Sequence, residues 1–388
     1  MTLQVLQSVH NWLPPTQNWL HAHLSRLPAD VASHVVADWS KDPDAFPMPR
    51  LDAVSRATGP RRILEARFPA LRRRRGSRLR QRVAAAHGPF PVVHSHFGDR
   101  GCYDLPFVGR LGAAHVVNFY GYDVIRQPHA SPAWGRRYQR LFRDADRLLA
   151  EGPVMIDSLR KLGAPEEKLV IHPLGVDLAA LPFRPRHYDG NGPLRVLMAA
   201  SWREKKGLPY AVEALGRLAK EHDVEVEATL IGAAAGSEDG QAEKRRILGA
   251  LAASGLEDQV RLPGFQDHGT MMAAAYDHHL FLSPSVTAAD GDVEGGVPVA
   301  IIEMAATGMP VVSTTHCDIP FVLQGDASRL LAPERDVDAL VDRLAWLVSH
   351  PGEWTPMVAS TRSHLESGFE VGKRAEALGR LYQEVVGA

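Results

Sequence analysis

The sequence predicts an α/β protein with two domains, each built on a parallel β-sheet. Short apolar runs alternate with longer amphipathic segments along most of the chain, which is the pattern of repeated strand–helix–strand units. The 388 residues are also too many for one ordinary hydrophobic core. A polar stretch rich in proline and glycine near the middle of the chain separates two sets of such units. We therefore expect ligands to bind at the carboxyl ends of the strands in each sheet.

Ten short segments are predicted to be strands, and amphipathic helices are predicted between them. The segment from Pro209 to Glu221 is one such helix, because its apolar residues recur at helical spacing. The strands of the first half are Leu3 to Val9, Val92 to Ser95, His115 to Tyr120, Arg147 to Ala150 and Lys168 to His172. Those of the second half are Leu194 to Ser201, Val226 to Ile231, Gln259 to Leu262, His279 to Ser283 and Pro310 to Thr314. Two sheets of similar size follow from this division.

The domain boundary is predicted between Leu181 and Pro193, where prolines and glycines interrupt both helix and strand. We expect an N-terminal domain over residues 1–182 and a C-terminal domain over residues 183–370. Residues 371–388 have the pattern of an amphipathic helix that can pack back on the N-terminal domain. No internal repeat of about 20 to 50 residues interrupts this organisation.

Composition excludes several classes of protein. The chain has 44 basic and 45 acidic residues, so it has no general charge bias toward nucleic acid. Cys102 and Cys317 are its only cysteines, which gives neither a disulfide framework nor a zinc cluster and favours a reducing compartment. The N-terminus lacks the pattern of a signal peptide, and no run of 18 apolar residues occurs. We expect a cytoplasmic protein without a membrane span.

The segment from Asp290 to Val312 is the most informative part of the chain. It places Glu294 in a glycine-rich turn and Glu303 in an apolar helical segment that begins near Pro298. Ionised carboxylates accept hydrogen bonds from sugar hydroxyls, and the N-terminus of a helix presents backbone N–H groups that suit a phosphate. Sugar and phosphate together indicate a nucleotide sugar as the ligand.

A cationic turn follows the first strand of the second half. Ser201 to Gly207 contains Arg203, Lys205 and Lys206 between a strand end and a helix start. Arginine can hold two oxygens of a diphosphate, and lysine acts there as a point charge. A solvated turn is the alternative interpretation of these residues. Their position at the carboxyl end of a strand favours a role in binding.

These segments together resemble the family 4 retaining glycosyltransferases. The resemblance covers roughly residues 90 to 315, in the order of the family. It is carried by His172 to Asp177, Arg203 with Lys206 and Gly207, Gly264 with Phe265, Glu294 to Pro298, Glu303 to Ala305, Gly308 and Pro310 to Val312.

The resemblance implies two Rossmann-like domains facing a central cleft, the glycosyltransferase B fold, with the acceptor bound by the first domain and the nucleotide sugar by the second. It assigns Arg203 and Lys206 to the charge that grows on the leaving diphosphate, and Glu294 to hydroxyls of the donor sugar. Further donor contacts are assigned to Glu303 at the ribose, Gly264 and Phe265 at the base, and Gly295, Gly296, Val297 and Pro298 at the sugar and phosphate.

The sequence departs from the family pattern at two places in the second half. Eight residues separate Glu294 from Glu303, where the family has seven, and the additional glycine puts in doubt which backbone amide meets the sugar. Ser201 stands where the family has an arginine five positions before the lysine. Arg203 can substitute for that arginine by a different path.

A third departure lies in the first half, on the side assigned to the acceptor or sugar. Tyr120 stands where the family has histidine, followed by Gly121 and Asp123 as usual. A phenol can donate a hydrogen bond but stays neutral near pH 7, so proton transfer is not the expected role. A buried strand aromatic is the alternative interpretation of Tyr120. His96 and Gly98 follow the neighbouring strand and are expected to line the same region.

No metal or other cofactor is expected. His94 and His96 lack a third ligand at a recognisable spacing. The triplet Asp290-Gly291-Asp292 superficially resembles the metal-binding acidic triplet of the other large glycosyltransferase fold, but a polar turn is the simpler interpretation. The cations at Arg203 and Lys206 can offset the diphosphate charge instead of a metal.

Ten arginines and a single acid, Glu65, lie between Arg61 and Arg82, with apolar residues interleaved. Such a stretch can lie on anionic lipid at the inner face of a membrane. A solvated helical face and another anionic partner are the alternatives. The stretch leaves peripheral membrane contact as an open expectation.

The leading functional hypothesis is sugar transfer from a nucleotide-sugar donor to a hydroxyl of a glycan, lipid-linked or small-molecule acceptor, with retained configuration. The resemblance favours a UDP-sugar and same-face substitution, in which the departing phosphate helps to deprotonate the acceptor. A nucleotide-sugar epimerase of the same fold and a non-catalytic nucleotide-sugar sensor are the alternatives. A nicotinamide dehydrogenase is disfavoured, because no strand is followed by G-x-G-x-x-G.

Overall fold

The computed structural model describes residues 2–13, 18–40, 44–54 and 59–387. Its strands form two sheets. The strands of the first sheet are β1 (Leu3–Trp12), β2 (Val31–Ser40), β3 (Leu51–Ala53), β4 (Val92–His96), β5 (Ala114–Phe119), β6 (Arg147–Ala150) and β7 (Leu169–Ile171). Those of the second are β8 (Leu194–Ala199), β9 (Val226–Ile231), β10 (Val260–Gly264), β11 (Leu280–Ser283), β12 (Val311–Thr314) and β13 (Leu331–Ala332).

Helices follow most of the strands, as expected of repeated strand–helix–strand units. The helices up to the start of β8 are α1 (Asn18–Leu24), α2 (Gly59–Arg67), α3 (Pro69–His87), α4 (Gly98–Leu111), α5 (Tyr122–Ile125), α6 (Pro132–Asp144) and α7 (Pro153–Lys161). The later ones are α8 (Leu208–Glu221), α9 (Glu238–Ser254), α10 (His268–Asp277), α11 (Val299–Ala306), α12 (Ile319–Val322), α13 (Val337–Ser349), α14 (Trp354–Gly368) and α15 (Val371–Gly387). No helix in the described part of the chain is long and apolar enough to cross a bilayer.

The chain divides into two compact units. The first unit comprises Met1–Asp177 with Phe369–Ala388, and the second comprises Leu178–Gly368. The division falls before the proline-rich segment in which the sequence placed the boundary, because that segment is bound to the second unit. The backbone N–H groups of Arg184 and Arg186 donate to the carbonyl oxygens of Thr307 and Gly308, at 2.8 and 3.0 Å.

The first unit is built on a seven-stranded sheet in the order β3-β2-β1-β4-β5-β6-β7. Each neighbouring pair is parallel, so all the carboxyl ends lie along one edge. The final helix α15 belongs to this unit, where Leu378, Leu381 and Tyr382 pack against Val5 of β1 and Val92 of β4.

The second unit is built on a six-stranded sheet in the order β10-β9-β8-β11-β12-β13. Its neighbouring strands are also parallel. The chain enters at the centre with β8, adds β9 and β10 on one side, and then crosses to β11 on the other side. The reversal places the turns after β8 and β11 beside each other, at the point where such sheets bind ligands.

The two parallel sheets of similar size that the sequence predicts are confirmed, and all ten predicted strands are present, eight of them with shifted ends. Three strands were missed, namely β2, β3 and β13. The omission of β2 has a clear physical cause, because His34 and Asp38 interrupt its apolar pattern. Asp38 is tolerated inside the sheet because the guanidinium groups of Arg80 and Arg100 pair with it, at 2.6 and 2.9 Å.

Candidate active site

The cationic turn of the second unit is a single turn of 3-10 helix from Glu204 to Lys206, ending at Gly207. Gly207 has φ 63°, in the left-handed region. A Cβ atom at this position would lie 1.8 Å from the carbonyl oxygen of Pro284, in the segment after β11. Only glycine therefore allows the turn after β8 to lie this close to the segment that leads to Glu294.

Lys206 and Glu294 form an ion pair across this approach. The Nζ atom of Lys206 lies 2.8 Å from the Glu294 carboxylate, which also accepts a hydrogen bond from Ser285 Oγ at 3.1 Å. Burial alone would raise the pKa of Glu294, but Lys206 and Lys205 lower it below its ordinary value. The carboxylate is thus held ionised, as an acceptor of hydrogen bonds.

Arg203 and Lys205 converge on Asp292. An Arg203 guanidinium nitrogen lies 2.6 Å from an Asp292 oxygen, while Lys205 Nζ lies 3.5 Å from the other oxygen and donates to the carbonyl of Val293 at 2.7 Å. Residues 289–291 form a turn and bend, as the polar-turn interpretation of the Asp290 triplet expected. The sequence did not anticipate the pairing of Arg203. Its side chain is 54% exposed, so it can exchange Asp292 for a ligand.

Glu303 lies in α11 and is buried. Its carboxylate is 2.8 Å from Nε2 of His268, at the start of α10, and this hydrogen bond raises the pKa of His268 above its ordinary value. Gly264 and Phe265 lie just before that helix. Gly264 has φ 78°, and the Phe265 side chain is 66% exposed, so its ring is available to a ligand. The sequence did not identify His268 as part of this group.

The turn between Glu294 and α11 contains the residues that the sequence assigned to donor sugar and phosphate. Gly295 has φ 85°, a value that only glycine adopts readily, so the turn requires glycine at this position. The helix begins at Val299 after Pro298, and no side chain caps its first backbone N–H groups. Gly296 and Val297 are buried in this turn.

His316 and Glu334 extend the group and were missed by the sequence analysis. The backbone N–H of Glu294 donates to Nε2 of His316 at 3.1 Å, so that nitrogen is unprotonated. The opposite nitrogen, Nδ1, therefore carries the proton and donates to Glu334 at 2.6 Å. Glu334 also accepts the backbone N–H of Thr287 at 2.7 Å. These hydrogen bonds hold the backbone of Glu294 in position.

In the first unit, Asp123 joins two elements at the carboxyl edge of the sheet. Its carboxylate accepts the backbone N–H groups of Gly98 at 2.7 Å and Tyr120 at 2.9 Å. Burial raises the pKa of Asp123 to about 7, against the effect of these donors. A Cβ atom at Gly98 would lie 2.2 Å from the ring of Phe119, which explains glycine at the first position of α4.

His96 and Tyr120 are brought together, as the sequence expected. The hydroxyl of Tyr120 lies 2.7 Å from Nδ1 of His96, and Nε2 of His96 lies 3.0 Å from Oε1 of Gln7. Burial lowers the pKa of His96 to about 3 and raises that of Tyr120 above its ordinary value, so both are neutral near pH 7. Gln7 was not predicted to belong to this group, because the only signal in the sequence is that it is a polar residue in an apolar strand.

Comparison with known proteins identifies the family of this chain. The family model described as Glycosyltransferase Family 4 matches residues 16–180, and the model described as Glycosyl transferases group 1 matches residues 193–350. The amylovoran biosynthesis glycosyltransferase AmsK of Erwinia amylovora is 34% identical over 291 residues, which are 74% of this chain and 69% of that protein. The chain belongs to the family 4 glycosyltransferases.

Two further relatives carry the name WcaL and are assigned to colanic acid biosynthesis as glycosyltransferases. The protein of Escherichia coli (strain K12) is 35% identical, and that of Salmonella typhimurium is 34% identical. The matched parts are 72% and 66% of this chain. They span 66% and 60% of the relatives' own lengths, so the relatives have further residues outside the match.

Solved structures show the same fold. A sucrose-phosphate synthase from Thermosynechococcus elongatus superposes with a TM-score of 0.77 at 18% identity, covering 99% of both chains. HepE of Anabaena, in a complex with UDP, superposes with a TM-score of 0.76 at 14% identity, covering 99% of this chain and 100% of that chain. The family 4 chain therefore has the glycosyltransferase B fold that its sequence predicts.

Proposed function

We propose that the protein transfers a sugar from a nucleotide-sugar donor to an acceptor hydroxyl during polysaccharide biosynthesis, with retention of the anomeric configuration. One observation carries the proposal most strongly. The second unit holds the Lys206–Glu294 ion pair and the Glu303–His268 pair at the carboxyl edge of its sheet. The named relatives are assigned to colanic acid and amylovoran biosynthesis, which supports polysaccharide assembly as the setting.

The second unit is the proposed donor site. Glu294 accepts from hydroxyls of the sugar, Glu303 accepts from hydroxyls of the ribose, and the exposed ring of Phe265 stacks near the base. The uncapped N-terminus of α11 donates to the diphosphate. HepE was solved with UDP and with UDP-glucose, which supports a UDP-sugar as the donor of this chain.

Cations of the protein stabilise the leaving diphosphate in this proposal. Lys206 is held beside Glu294, and Arg203 is exposed enough to move from Asp292 to a phosphate oxygen. Fixed charges of this kind stabilise the transition state without reorganising solvent, so the proposed reaction needs no metal. The departing phosphate oxygen takes the proton of the acceptor hydroxyl on the same face of the sugar, which gives retention.

The first unit is the proposed acceptor site. Its edge presents the hydroxyl of Tyr120, which stands where the family has histidine, next to His96 and the Asp123 turn. These groups are neutral or hydrogen-bonded to backbone, which suits recognition of hydroxyls. Tyr120 is half-buried and so can contact a ligand.

We also propose that the enzyme acts at the inner face of a membrane. Ile63, Leu64 and Phe68 are 72%, 50% and 51% exposed, in and after α2, within the arginine-rich stretch. The side chains of Arg61 and Arg62 lie outside the described ones. The expectation of lipid contact is wrong for Arg80, because its side chain is fully buried in an ion pair with Asp38. In a flotation assay, the protein should rise with vesicles that contain phosphatidylglycerol and should stay behind with vesicles of phosphatidylcholine alone.

The proposed reaction is tested by NMR spectroscopy of a nucleotide sugar incubated with the protein, with and without glycan acceptors. Sugar transfer predicts a new glycosidic product that depends on the acceptor and has the anomeric configuration of the donor. An altered donor sugar in the absence of acceptor would indicate an epimerase. Donor binding without any turnover on any acceptor would indicate a sensor. An inverted product would contradict the retaining mechanism.

A further inference from the structure

A cavity of about 380 Å³ opens in the first unit, at the carboxyl ends of β1 and β2. It is lined by His10 of β1, Asp38 of β2, Glu65 of α2, Arg72 and Arg73 of α3, and Tyr103 of α4, among others. None of the residues that the family resemblance assigns to the acceptor lines it. Its volume lies in the range of small-molecule sites, about 300 to 1,000 Å³.

Each acidic residue that lines this cavity has a basic partner. The two buried arginines Arg80 and Arg100 pair with Asp38, at 2.6 and 2.9 Å, and Arg100 also pairs with the buried Asp104 at 2.8 Å. Two buried arginines and two buried aspartates thus cancel. Burial would raise the pKa of Asp38, but the hydrogen bond from His10 and the charges of the two arginines hold it below its ordinary value.

The two remaining carboxylates of the lining also have basic partners. Asp99 lies 3.0 Å from Nε2 of His10, and Glu65 lies 2.6 Å from a guanidinium nitrogen of Arg75. Burial opposes protonation of His10, but Asp38 and Asp99 together raise its pKa above the ordinary value. Each acidic side chain that lines the cavity is therefore held by a basic partner, which weakens its repulsion of an anion.

Arg72 and Arg73 are left over after this pairing. Arg72 is exposed and has no ion-pair partner within the described part of the chain. The guanidinium carbon of Arg73 lies 4.9 Å from the centre of the Tyr103 ring, a cation–π contact that orients the group without neutralising its charge. Trp39 adds a second aromatic residue to the lining. Two cations and two aromatic rings in one small cavity suit a ligand that has both an anionic group and a sugar ring.

We propose that this cavity binds an anionic sugar, and that the acceptor of the reaction therefore carries a carboxylate or a phosphate group. A planar guanidinium matches both groups, because each offers two oxygens to its parallel N–H donors. The aromatic ring of Trp39 contacts the apolar face of the sugar, while Tyr103 holds the guanidinium of Arg73 in place. The link to an acceptor rests on the proposed function, whereas binding of the anionic sugar itself does not.

The test is calorimetric titration of the full chain with D-glucuronate, D-glucose 6-phosphate and uncharged D-glucose. We expect at least one of the two acids to bind at least about tenfold more tightly than glucose, with an affinity that falls as salt is raised. Tighter binding of D-glucuronate identifies a glycan with carboxylate groups as the ligand. Tighter binding of D-glucose 6-phosphate identifies a phosphorylated glycan. Equal binding of the acids and glucose, or no binding of either acid, would overturn the proposal.

Variants on one helix separate a site from general surface charge. Arg72→Gln and Arg73→Gln should each weaken binding of the acid about fivefold or more, because each removes one half of the cationic pair. Arg74→Gln is the matched control, since Arg74 is an exposed arginine of α3 that does not line the cavity. Melting temperatures check that each variant is folded. An equal loss in Arg74→Gln would refute the assignment.

The same preparations separate failure of this inference from failure of the proposed function. Nucleotide-sugar binding is measured alongside, and depends on the second unit. If a nucleotide sugar binds and neither acid does, the cavity assignment falls and the donor site stands. If an acid binds through Arg72 and Arg73 while no nucleotide sugar binds, the cavity stands and the proposed reaction falls.

Discussion

The carboxyl edge of the second sheet and the group around Tyr120 at the edge of the first sheet carry opposite kinds of polar chemistry. In the second unit the side chains are charged and paired, with Lys206 on Glu294 and Arg203 on Asp292. Around Tyr120 in the first unit they are neutral, with Tyr120, His96 and Gln7 joined by hydrogen bonds of 2.7 and 3.0 Å. Burial keeps His96 uncharged by lowering its pKa to about 3.

The difference suggests how the two units divide recognition. A paired cation can exchange its carboxylate for a phosphate, and the freed carboxylate can accept sugar hydroxyls, so the charged edge is prepared for a nucleotide sugar. A neutral network cannot offset a diphosphate, but it can position a hydroxyl. The cavity beside Arg72 and Arg73 lies on the same sheet and adds the charge that the Tyr120 network lacks. The following changes test this contrast.

Breaking the charged pair should have the largest effect. Lys206→Ala and Glu294→Gln should each lower kcat by about 100-fold to 1,000-fold, since Lys206 supplies a fixed charge that acts as the diphosphate departs and the Glu294 carboxylate holds the donor sugar in position. Initial rates at saturating donor measure the effect of both variants. Lys244→Ala, on the exposed face of α9, is the control. Rates within about threefold of the wild type in both site variants would contradict the assignment.

Removal of His316 should have the next largest effect, of about tenfold in kcat. The side chain touches no substrate in the proposed site but fixes the Glu294 backbone through an unprotonated Nε2. His316→Gln supplies an amide oxygen that can accept the same N–H, so it should recover part of the rate that His316→Ala loses. The KM for the acceptor should stay constant in both. Identical kcat values for the Gln and Ala variants would argue against this positioning role.

A smaller change is expected on the neutral edge. Tyr120→Phe removes one hydroxyl and should raise the KM for the acceptor about fivefold to tenfold, the value of one hydrogen bond, with little change in donor affinity. The change is measured by acceptor titration at saturating donor. A shift in donor affinity with constant acceptor KM would show that Tyr120 belongs to the donor side.

The smallest effect concerns His268 and pH. Its hydrogen bond to Glu303 raises the pKa of His268 above 6.5, so the contribution of the pair to stability is complete below pH 6.5 and is lost as pH rises through the folded-state pKa. The side chain is about half exposed, so the contribution is small. The difference in melting temperature between the wild type and His268→Asn should shrink from pH 5.5 to pH 8.5. A difference that is constant with pH would exclude the coupling.

Two segments of the candidate site in the second unit could be singled out from the sequence because each has a recognisable local pattern. Arg203 to Gly207 and Glu294 to Glu303 are short segments that each combine charge with a helix start. His316, Glu334 and His268 could not be predicted in the same way. His316 meets Glu294 across 22 residues, and His268 meets Glu303 across 35, so only the fold brings them together.

The first unit was harder to predict because its polar residues are buried inside apolar elements. Asp38 interrupts the apolar pattern by which β2 could be predicted. Arg80 lies in a basic stretch, where the sequence indicates a surface arginine. Each explains the other once they are in contact, at 2.6 Å. This pairing also distinguishes Arg80 from Arg72 and Arg73, and the proposed binding of an anionic sugar rests on those two arginines.

The most direct test of the donor site is a screen of nucleotide sugars by thermal unfolding of the wild type and of Lys206→Ala. A donor at about 100 times its Kd stabilises the folded protein by about 2.7 kcal/mol, which is a readily measured rise in Tm. We predict that at least one UDP-sugar raises the Tm of the wild type, and that the rise is largely lost in Lys206→Ala. No rise with any nucleotide sugar, or an equal rise in the variant, would contradict the donor site.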